Sequence, residues 1–113
     1  MHELSVVTSI IKTAKEEVDT NGGGKIVEII LEIGKLSGVE IQSLYFIWEL
    51  CSKDTVLEDS KVTLLEPEGK AKCAECETEY PLEQLFDSCP KCDSPFKSII
   101  SGKELKIKKL IIN

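Results

Sequence analysis

Two Cys-x-x-Cys pairs constrain the fold of this chain more than any other feature. The pairs are Cys73 with Cys76 and Cys89 with Cys92, and twelve residues separate them. Two thiolates three positions apart can converge on one metal ion from a tight turn, and two such turns complete a tetrahedron. The spacing therefore predicts a zinc site with these four cysteines as ligands. Four thiolates leave no coordination position for water, so the predicted site is structural and not catalytic.

A rubredoxin-like iron site and a labile redox dithiol are the alternatives to zinc. Iron bound by four thiolates is red, whereas the zinc site is colourless. A redox dithiol fits poorly, because the Cys-x-x-Cys of thioredoxin-like proteins stands alone beside a βαβ pattern. Tyr80, Leu82, Phe86 and Phe96 are expected to pack around the metal. Cys51 lies among apolar residues of a predicted helix and is expected to be a buried spectator thiol.

The first half of the chain alternates between helical and strand-like patterns. Apolar residues recur every three or four positions over Leu4–Val18, which predicts an amphipathic helix that ends at the glycines 22–24. Alternation over Lys25–Ile33 predicts a strand. One face of that strand is expected to carry four apolar residues, Val27, Ile29, Leu31 and Ile33. A capping box over Ser37–Glu40, with Ser37 as the N-cap, is predicted to open a second helix.

The second half adds two strand-like segments to this pattern. Strands are predicted over Lys61–Glu66 and Glu104–Ile112, with a polar loop over Ser52–Ser60. The apolar residues change phase within the last strand, and a bulge near Lys108–Lys109 would restore its register. The fold predicted is α+β, with two helices, a small mixed sheet of about three strands and an inserted four-cysteine zinc ribbon.

Composition divides the chain into two expected domains. Residues 69–97 hold four of the five cysteines and three of the four prolines. This segment is predicted to be an inserted zinc-binding domain. Residues 1–68 and 98–113 are predicted to form one discontinuous α/β domain around it.

Charge and residue usage argue against several classes of function. The 113 residues carry a net charge of −6, and all 14 cationic side chains are lysines. Arginine is the residue that reads guanine and grips phosphate, so no nucleic-acid partner is expected. No long apolar run or secretory signal is visible, which predicts a cytoplasmic protein without membrane association. No nucleophile–base pair or phosphate-binding loop is present, so the chain is not expected to be an enzyme.

The N-terminal residues offer a second kind of metal site. A terminal amine, the next backbone amides and an imidazole at position two can close adjacent chelate rings, and nickel favours square-planar nitrogen sets. The predicted donors are the Met1 amine, the His2 imidazole and backbone nitrogen, and the Glu3 backbone nitrogen. By itself a lone histidine is usually incidental, and Glu3 is also simply a favourable charge at a helix start.

Four features occur in a fixed order along the chain. They are the opening Met-His-Glu-Leu-Ser, the segment Ile-Gly-Lys-Leu-Ser-Gly-Val-Glu at 33–40, the paired cysteines, and Ser-Gly-Lys-Glu-Leu-Lys-Ile at 101–107. Together they resemble the HypA/HybF family of hydrogenase maturation factors, which are nickel metallochaperones. The resemblance spans essentially the whole chain. It implies a nickel-binding α/β domain, at 1–68 and 98–113, with an inserted zinc ribbon.

The resemblance also implies a function and partners. Nickel would be a transient cargo held through His2, including its backbone, and the Glu3 backbone amide, while zinc would be structural. Nickel would go to the large subunit of a [NiFe]-hydrogenase in partnership with the HypB GTPase, and some family members also serve urease. A monomer or weak homodimer is expected. The chain has no histidine beside either cysteine pair, so its all-cysteine zinc shell is expected to respond little to mild acid.

A zinc-ribbon adaptor that handles no nickel is the alternative function. Such a protein would use the cysteine module only to dock a protein or nucleic acid. The arginine-free, acidic composition argues against nucleic acid, and filter binding at low salt separates the two cases.

Overall fold

The computed structural model describes residues 2–113, with the backbone alone at His2. Within that range the chain forms two helices and six strands. Their bounds are α1 His2–Thr20, β1 Ile26–Ile33, α2 Ile41–Cys51, β2 Lys61–Leu65, β3 Lys70–Cys73, β4 Glu79–Pro81, β5 Lys97–Ser101 and β6 Leu105–Ile112. None of the helices in this range has the length and apolar character needed to cross a membrane.

The strands of the described chain form two three-stranded sheets. The first has the order β2-β1-β6 and the second the order β4-β3-β5. In the second sheet β3 pairs antiparallel with both neighbours, and Ala71 lies opposite Tyr80 of β4. The predicted α+β fold, with two helices, a small sheet and a four-cysteine module, is confirmed.

The chain divides into two compact units, each of which is assembled from separate segments. The first unit consists of Met1–Leu31, Val39–Leu64 and Lys106–Asn113, and the second of Glu32–Gly38 and Leu65–Leu105. In the first unit α1 packs against α2. Its buried apolar side chains are Val6, Val7, Ile10, Ala14, Val18, Ile26, Ile29, Leu31, Leu44, Trp48 and Leu57. In the second unit the buried cluster is smaller, with Ala71, Cys73, Tyr80, Leu82 and Cys89.

The apolar faces of the first helix and first strand differ in detail from the prediction. Leu4, the first residue of the predicted apolar face of α1, is 46% exposed. Ile10 is buried together with Val7 and Val18. A first-turn residue lies at the end of the helix, where less of the unit covers it. In β1 the buried face is as predicted from Ile29 onward, but Val27 is half exposed.

The start of α2 is also different. Its N-cap is Glu40, with φ −87° and ψ 113°, and the Glu40 carboxylate accepts the Ser43 N–H at 2.9 Å. Ser37 lies in a turn instead, where its N–H donates to the Gly34 carbonyl at 3.0 Å. Gly38 has a φ of +82°, so the helix cannot extend back toward Ser37. The predicted capping box is therefore wrong.

The later elements follow the sequence prediction closely. β2 and β6 lie where they were predicted, and turns connect α2 to β2. In β6 the partly buried positions change phase between Ile107 and Leu110, while Lys108 and Lys109 are both exposed. The bulge itself stays a prediction. Cys51 is partly exposed at the end of α2, so it is less buried than predicted.

Candidate metal centre

The second unit brings four sulfur atoms to one point. The Sγ atoms of Cys73, Cys76, Cys89 and Cys92 all lie within 4.8 Å of one another. The Cys73 and Cys92 sulfurs are 3.5 Å apart, and those of Cys76 and Cys89 are 3.7 Å apart. In a zinc tetrahedron with bonds of about 2.3 Å, neighbouring sulfurs lie about 3.8 Å apart. The four thiols are therefore close enough together to share one tetrahedral ion.

The two cysteine turns are built in the same way. In the first, the Cys73 N–H donates to the Thr78 carbonyl at 2.9 Å, and the Glu77 N–H donates to the Cys73 carbonyl at 3.1 Å. In the second, the Asp93 N–H donates to the Cys89 carbonyl at 2.8 Å. Glu77 and Asp93 have φ values of 62° and 65°. This left-handed residue after each second cysteine turns the chain back and aims both thiols of a pair inward.

Hydrogen bonds favour ionised sulfur in the first turn. The Cys73 sulfur accepts the N–H groups of Cys76 and Glu75, each at 3.4 Å, which lowers the pKa of this thiol. The Cys76 sulfur lies 3.2 Å from the Thr78 Oγ1. Hydrogen bonding with the Thr78 hydroxyl, and then with the Thr78 backbone, lowers the pKa of Cys76 to about 6. These two sulfurs are prepared to act as thiolate ligands.

In the second turn, the surroundings of the Cys92 thiol favour its protonated form. The Ser94 backbone N–H acts to lower the pKa of Cys92, but hydrogen bonding to Cys73, desolvation and hydrogen bonding to other thiols outweigh it and raise the pKa to about 12. Four clustered thiols cannot all ionise in the absence of a cation, because the negative charges of the thiolates repel one another. A divalent cation removes this repulsion, so metal binding is coupled to proton release.

Four residues were expected to pack around this cluster, and two of them do so. Tyr80 and Leu82 are buried beside the cysteines, as predicted. Phe86 and Phe96 are 77% and 64% exposed, so the prediction for these two is wrong. The module has one small interior, which Tyr80 and Leu82 fill, and Phe86 lies in a surface turn. Thr78 was missed in the sequence, because the Cys-x-x-Cys spacing does not mark a hydroxyl two positions beyond the second cysteine.

The N-terminal group of predicted nickel ligands is described only in part. Met1 and the side chain of His2 lie outside the described residues. Glu3 occupies the first turn of α1, and its Oε2 accepts the Glu40 N–H at 3.1 Å. The two residues are 37 positions apart in sequence, so no local pattern could have predicted this contact. It ties the first turn of α1 to the start of α2.

Comparison with known proteins identifies the family. A family model described as "Hydrogenase/urease nickel incorporation, metallochaperone, hypA" matches residues 1–112. The chain belongs to the HypA family. The resemblance inferred from the four sequence features is thereby confirmed, and the family is one of nickel-incorporation metallochaperones for hydrogenase and urease.

Full-length relatives and solved structures agree with this assignment. The chain is 42% identical to the hydrogenase maturation factor HypA of Parabacteroides distasonis, over 99% of this chain and 97% of that one. It is 37% identical to HypA of Francisella philomiragia over the full length of both. The solution structure of the Ni metallochaperone HypA from Helicobacter pylori has a TM-score of 0.72 at 23% identity, covering 97% and 96% of the two chains. That likeness is one of fold. A solution structure of a HypA protein gives a TM-score of 0.73 at 25% identity, covering 100% and 97%.

Proposed function

We propose that this chain binds nickel at its N-terminus and delivers it during maturation of a [NiFe]-hydrogenase, with no catalytic activity of its own. The observation that carries the proposal is the family match over residues 1–112, with Met1, His2 and Glu3 at the start of the matched range. The donors we assign are the Met1 amine, the His2 imidazole and backbone nitrogen, and the Glu3 backbone nitrogen. An open nitrogen set of this kind suits a cargo that must leave again.

The contact of Glu3 supports this arrangement. Its carboxylate accepts the Glu40 N–H at 3.1 Å, so the side chain is held at the start of α2. The backbone nitrogen of Glu3 then remains the donor that this residue offers to nickel. Fixing the first turn of α1 also reduces the conformational freedom that nickel binding would have to remove.

The zinc proposal concerns the four cysteines. We assign Cys73, Cys76, Cys89 and Cys92 as ligands of a structural zinc ion in a zinc-binding domain at 69–97, and nickel binding to 1–68 and 98–113. The sulfur positions, all within 4.8 Å of one another, support a tetrahedral ion. When bound, zinc supplies a closed tetrahedral crosslink that joins the two cysteine turns.

The partners follow from the proposed delivery. We propose the HypB GTPase and the hydrogenase large subunit as partners. GTP hydrolysis would have to come from a partner, because the glycines at 22–24 lack the lysine and hydroxyl residue of a phosphate-binding loop. We place delivery in the cytoplasm, because a reducing compartment keeps four thiols available for metal. A monomer or weak homodimer remains our expectation for the assembly.

Nickel titration by calorimetry tests the proposed site. It uses protein that starts with an unblocked Met1, a His2→Ala variant and a variant with extra N-terminal residues, all at equal zinc content. The native protein is expected to bind one nickel ion, and both variants are expected to lose it. Loss in His2→Ala alone would mean that the amine is not a ligand. Equal binding by all three would overturn the N-terminal site and favour the zinc-ribbon adaptor.

A transfer assay tests delivery separately from binding. Nickel-loaded chain is mixed with the metal-free large subunit, with and without the GTPase, and the nickel in each separated protein is measured. Delivery predicts faster loading from this chain than from a small nickel chelate of matched affinity. Equal rates from the two donors would show that the chain is only a nickel buffer.

A further inference from the structure

The last strand of the chain is positively charged, although the protein as a whole is acidic. The net charge of the chain is −6, yet residues 106–113 contain three lysines and no aspartate or glutamate. These lysines, Lys106, Lys108 and Lys109, are all exposed. Clustered charge of one sign attracts ligands of the opposite sign and speeds their association. The strand β6 therefore offers an acidic ligand a local surface of opposite charge.

The strand β6 is also an edge of its sheet. In the order β2-β1-β6, β1 lies on one side of it, and no strand of residues 2–113 lies on the other. The pairing with β1 continues past the end of β6, where the Asn113 N–H donates to the Lys25 carbonyl at 2.8 Å. An edge strand is a template to which another extended chain can add. With eight residues, β6 is long enough for a short segment to pair along it.

A groove of about 520 Å³ lies between α1 and β6, within the first unit. Its helix side is formed by Thr13, Glu17 and Asn21, which are four residues apart and lie in one row along α1. Its strand side is formed by Lys108, Lys109 and the apolar side chains of β6. The volume is in the range of pockets that hold ligands. The groove thus places apolar surface beside two lysines.

The two faces of β6 differ in character. Ile107, Leu110 and Ile112 are partly buried, whereas the three lysines between 106 and 109 are exposed. Successive side chains of an added strand point to opposite faces of the sheet. A segment that alternates apolar and acidic residues would therefore match both faces of β6, with its apolar residues in the groove and its carboxylates beside the lysines.

The lysines also decide between a partner and a second copy of this chain. Lysine on an edge strand opposes pairing of that strand with its own copy, because like charges would lie close across the two strands. The same side chains favour a strand that carries carboxylates, since opposite charges across a strand pair attract. Charge therefore selects an acidic segment over self-association.

We propose that the outer edge of β6 binds an extended segment of a partner protein in which acidic and apolar residues alternate. The segment adds to the first sheet as a fourth strand. The inference uses neither metal site. Glu17 is 15 residues from His2, about 22 Å along the helix axis, so this groove and the proposed nickel ligands can be occupied together.

Binding of a synthetic peptide to the full-length chain tests the proposal. The probe is an eight-residue peptide of alternating glutamate and valine, and fluorescence anisotropy measures its affinity at about 0.15 M ionic strength. The double variant Lys108→Glu, Lys109→Glu is expected to bind it roughly tenfold more weakly or worse, because like charges then oppose binding. The matched control is Lys12→Glu, Lys15→Glu, which makes the same change in net charge at exposed residues of α1 outside the groove lining. This control is expected to keep nearly wild-type affinity.

Methylated peptides separate strand pairing from charge attraction without any change to the protein. One peptide carries a methyl group on every glutamate nitrogen and the other on every valine nitrogen, and both keep all their charges. Alternate N–H groups of a strand point to opposite edges, so only one of the two peptides loses its hydrogen bonds to β6. We expect that peptide to bind roughly tenfold more weakly or worse. With the unmethylated peptide, the backbone amides of β6 should exchange more slowly.

Four results would overturn the proposal. The first is the absence of peptide binding by the wild type. Equal weakening in the two charge-reversed variants would mean that the peptide responds only to net charge. Equal binding of the two methylated peptides would show attraction without strand pairing. A wild-type dimer whose β6 amides are protected in the absence of peptide would assign the edge to a second copy of the chain.

Discussion

At the scale of single residues, the cysteine turns depend on two unusual backbone conformations. Glu77 and Asp93 hold left-handed φ values of 62° and 65° directly after Cys76 and Cys92. A side chain costs roughly 1–2 kcal/mol in this region, although aspartate tolerates it better than most residues. The turns therefore contain strain that a metal crosslink would help to hold.

Replacing Glu77 by glycine should relieve that strain. We expect Glu77→Gly to raise the free energy of unfolding of the zinc-loaded chain by up to about 1 kcal/mol. Asp93→Gly should gain less, because aspartate is the better left-handed residue. Glu75→Gly, in the same turn but without a positive φ, is the control and should lose stability. Denaturant unfolding measures all three, and a loss in Glu77→Gly equal to that in Glu75→Gly would contradict the argument.

The Thr78 hydroxyl should control the reactivity of Cys76. In the metal-free chain the pKa of Cys76 is about 6, so its reactive thiolate forms above that pH and is lost below it. Thr78→Val removes the main cause of the lowered pKa, whereas Thr78→Ser keeps the hydroxyl. We expect the pH profile of Cys76 alkylation, mapped by mass spectrometry, to move toward higher pH in Thr78→Val only. Identical profiles for the two variants would rule out a role for the hydroxyl.

At the scale of elements, hydrophobic periodicity predicted what depends on burial over several residues. The helix α1 and the strands β1, β2 and β6 carry repeating apolar patterns, and each lies where its pattern placed it. The strands β3 to β5 are short, with three to five residues each, and their sequences lack a comparable pattern. Each forms by pairing with a segment elsewhere in the chain, so no single segment could predict them.

The start of α2 gives a test at this scale. The Glu40 carboxylate caps the helix through the Ser43 N–H. Glu40→Ala should destabilise the chain by about 1 kcal/mol, and Glu40→Ser, which can also cap, should restore most of that loss. Thermal unfolding followed at the helical circular dichroism signal gives the comparison. If the alanine and serine variants unfold at the same temperature, the cap contributes nothing measurable to stability.

At the scale of the whole molecule, the two units have interiors of different kinds. The first unit buries apolar residues from α1, β1 and α2, whereas the second buries a few side chains, two of which are cysteines. A unit with so small an interior needs a crosslink to be stable. The first unit has no such requirement.

Removing metal should therefore affect the units unequally. Trp48 is the only tryptophan and is buried in the first unit, so its fluorescence reports on that unit alone. A strong chelator should leave the fluorescence maximum of Trp48 nearly unchanged. The backbone amides of Leu65–Leu105 should lose their protection from hydrogen exchange. Equal loss of protection across both units would contradict the division.

The sequence predicted which four residues form the candidate site, but not which groups surround them. Cys-x-x-Cys spacing identified four residues that the fold brings together, and the family match agrees with the order of the sequence features. The spacing could not predict the Thr78 contact or the exposure of Phe86. These depend on how chain segments meet in three dimensions, which a short motif does not encode.

The proposed function places two metals in two different kinds of site on one chain. X-ray absorption at the nickel and zinc edges of a chain loaded with both metals tests it most directly. We predict zinc surrounded by four sulfurs at about 2.3 Å, at neutral and mildly acidic pH alike, and nickel surrounded by nitrogen donors without sulfur. Sulfur in the nickel shell, or nitrogen or oxygen replacing sulfur around zinc, would contradict the account.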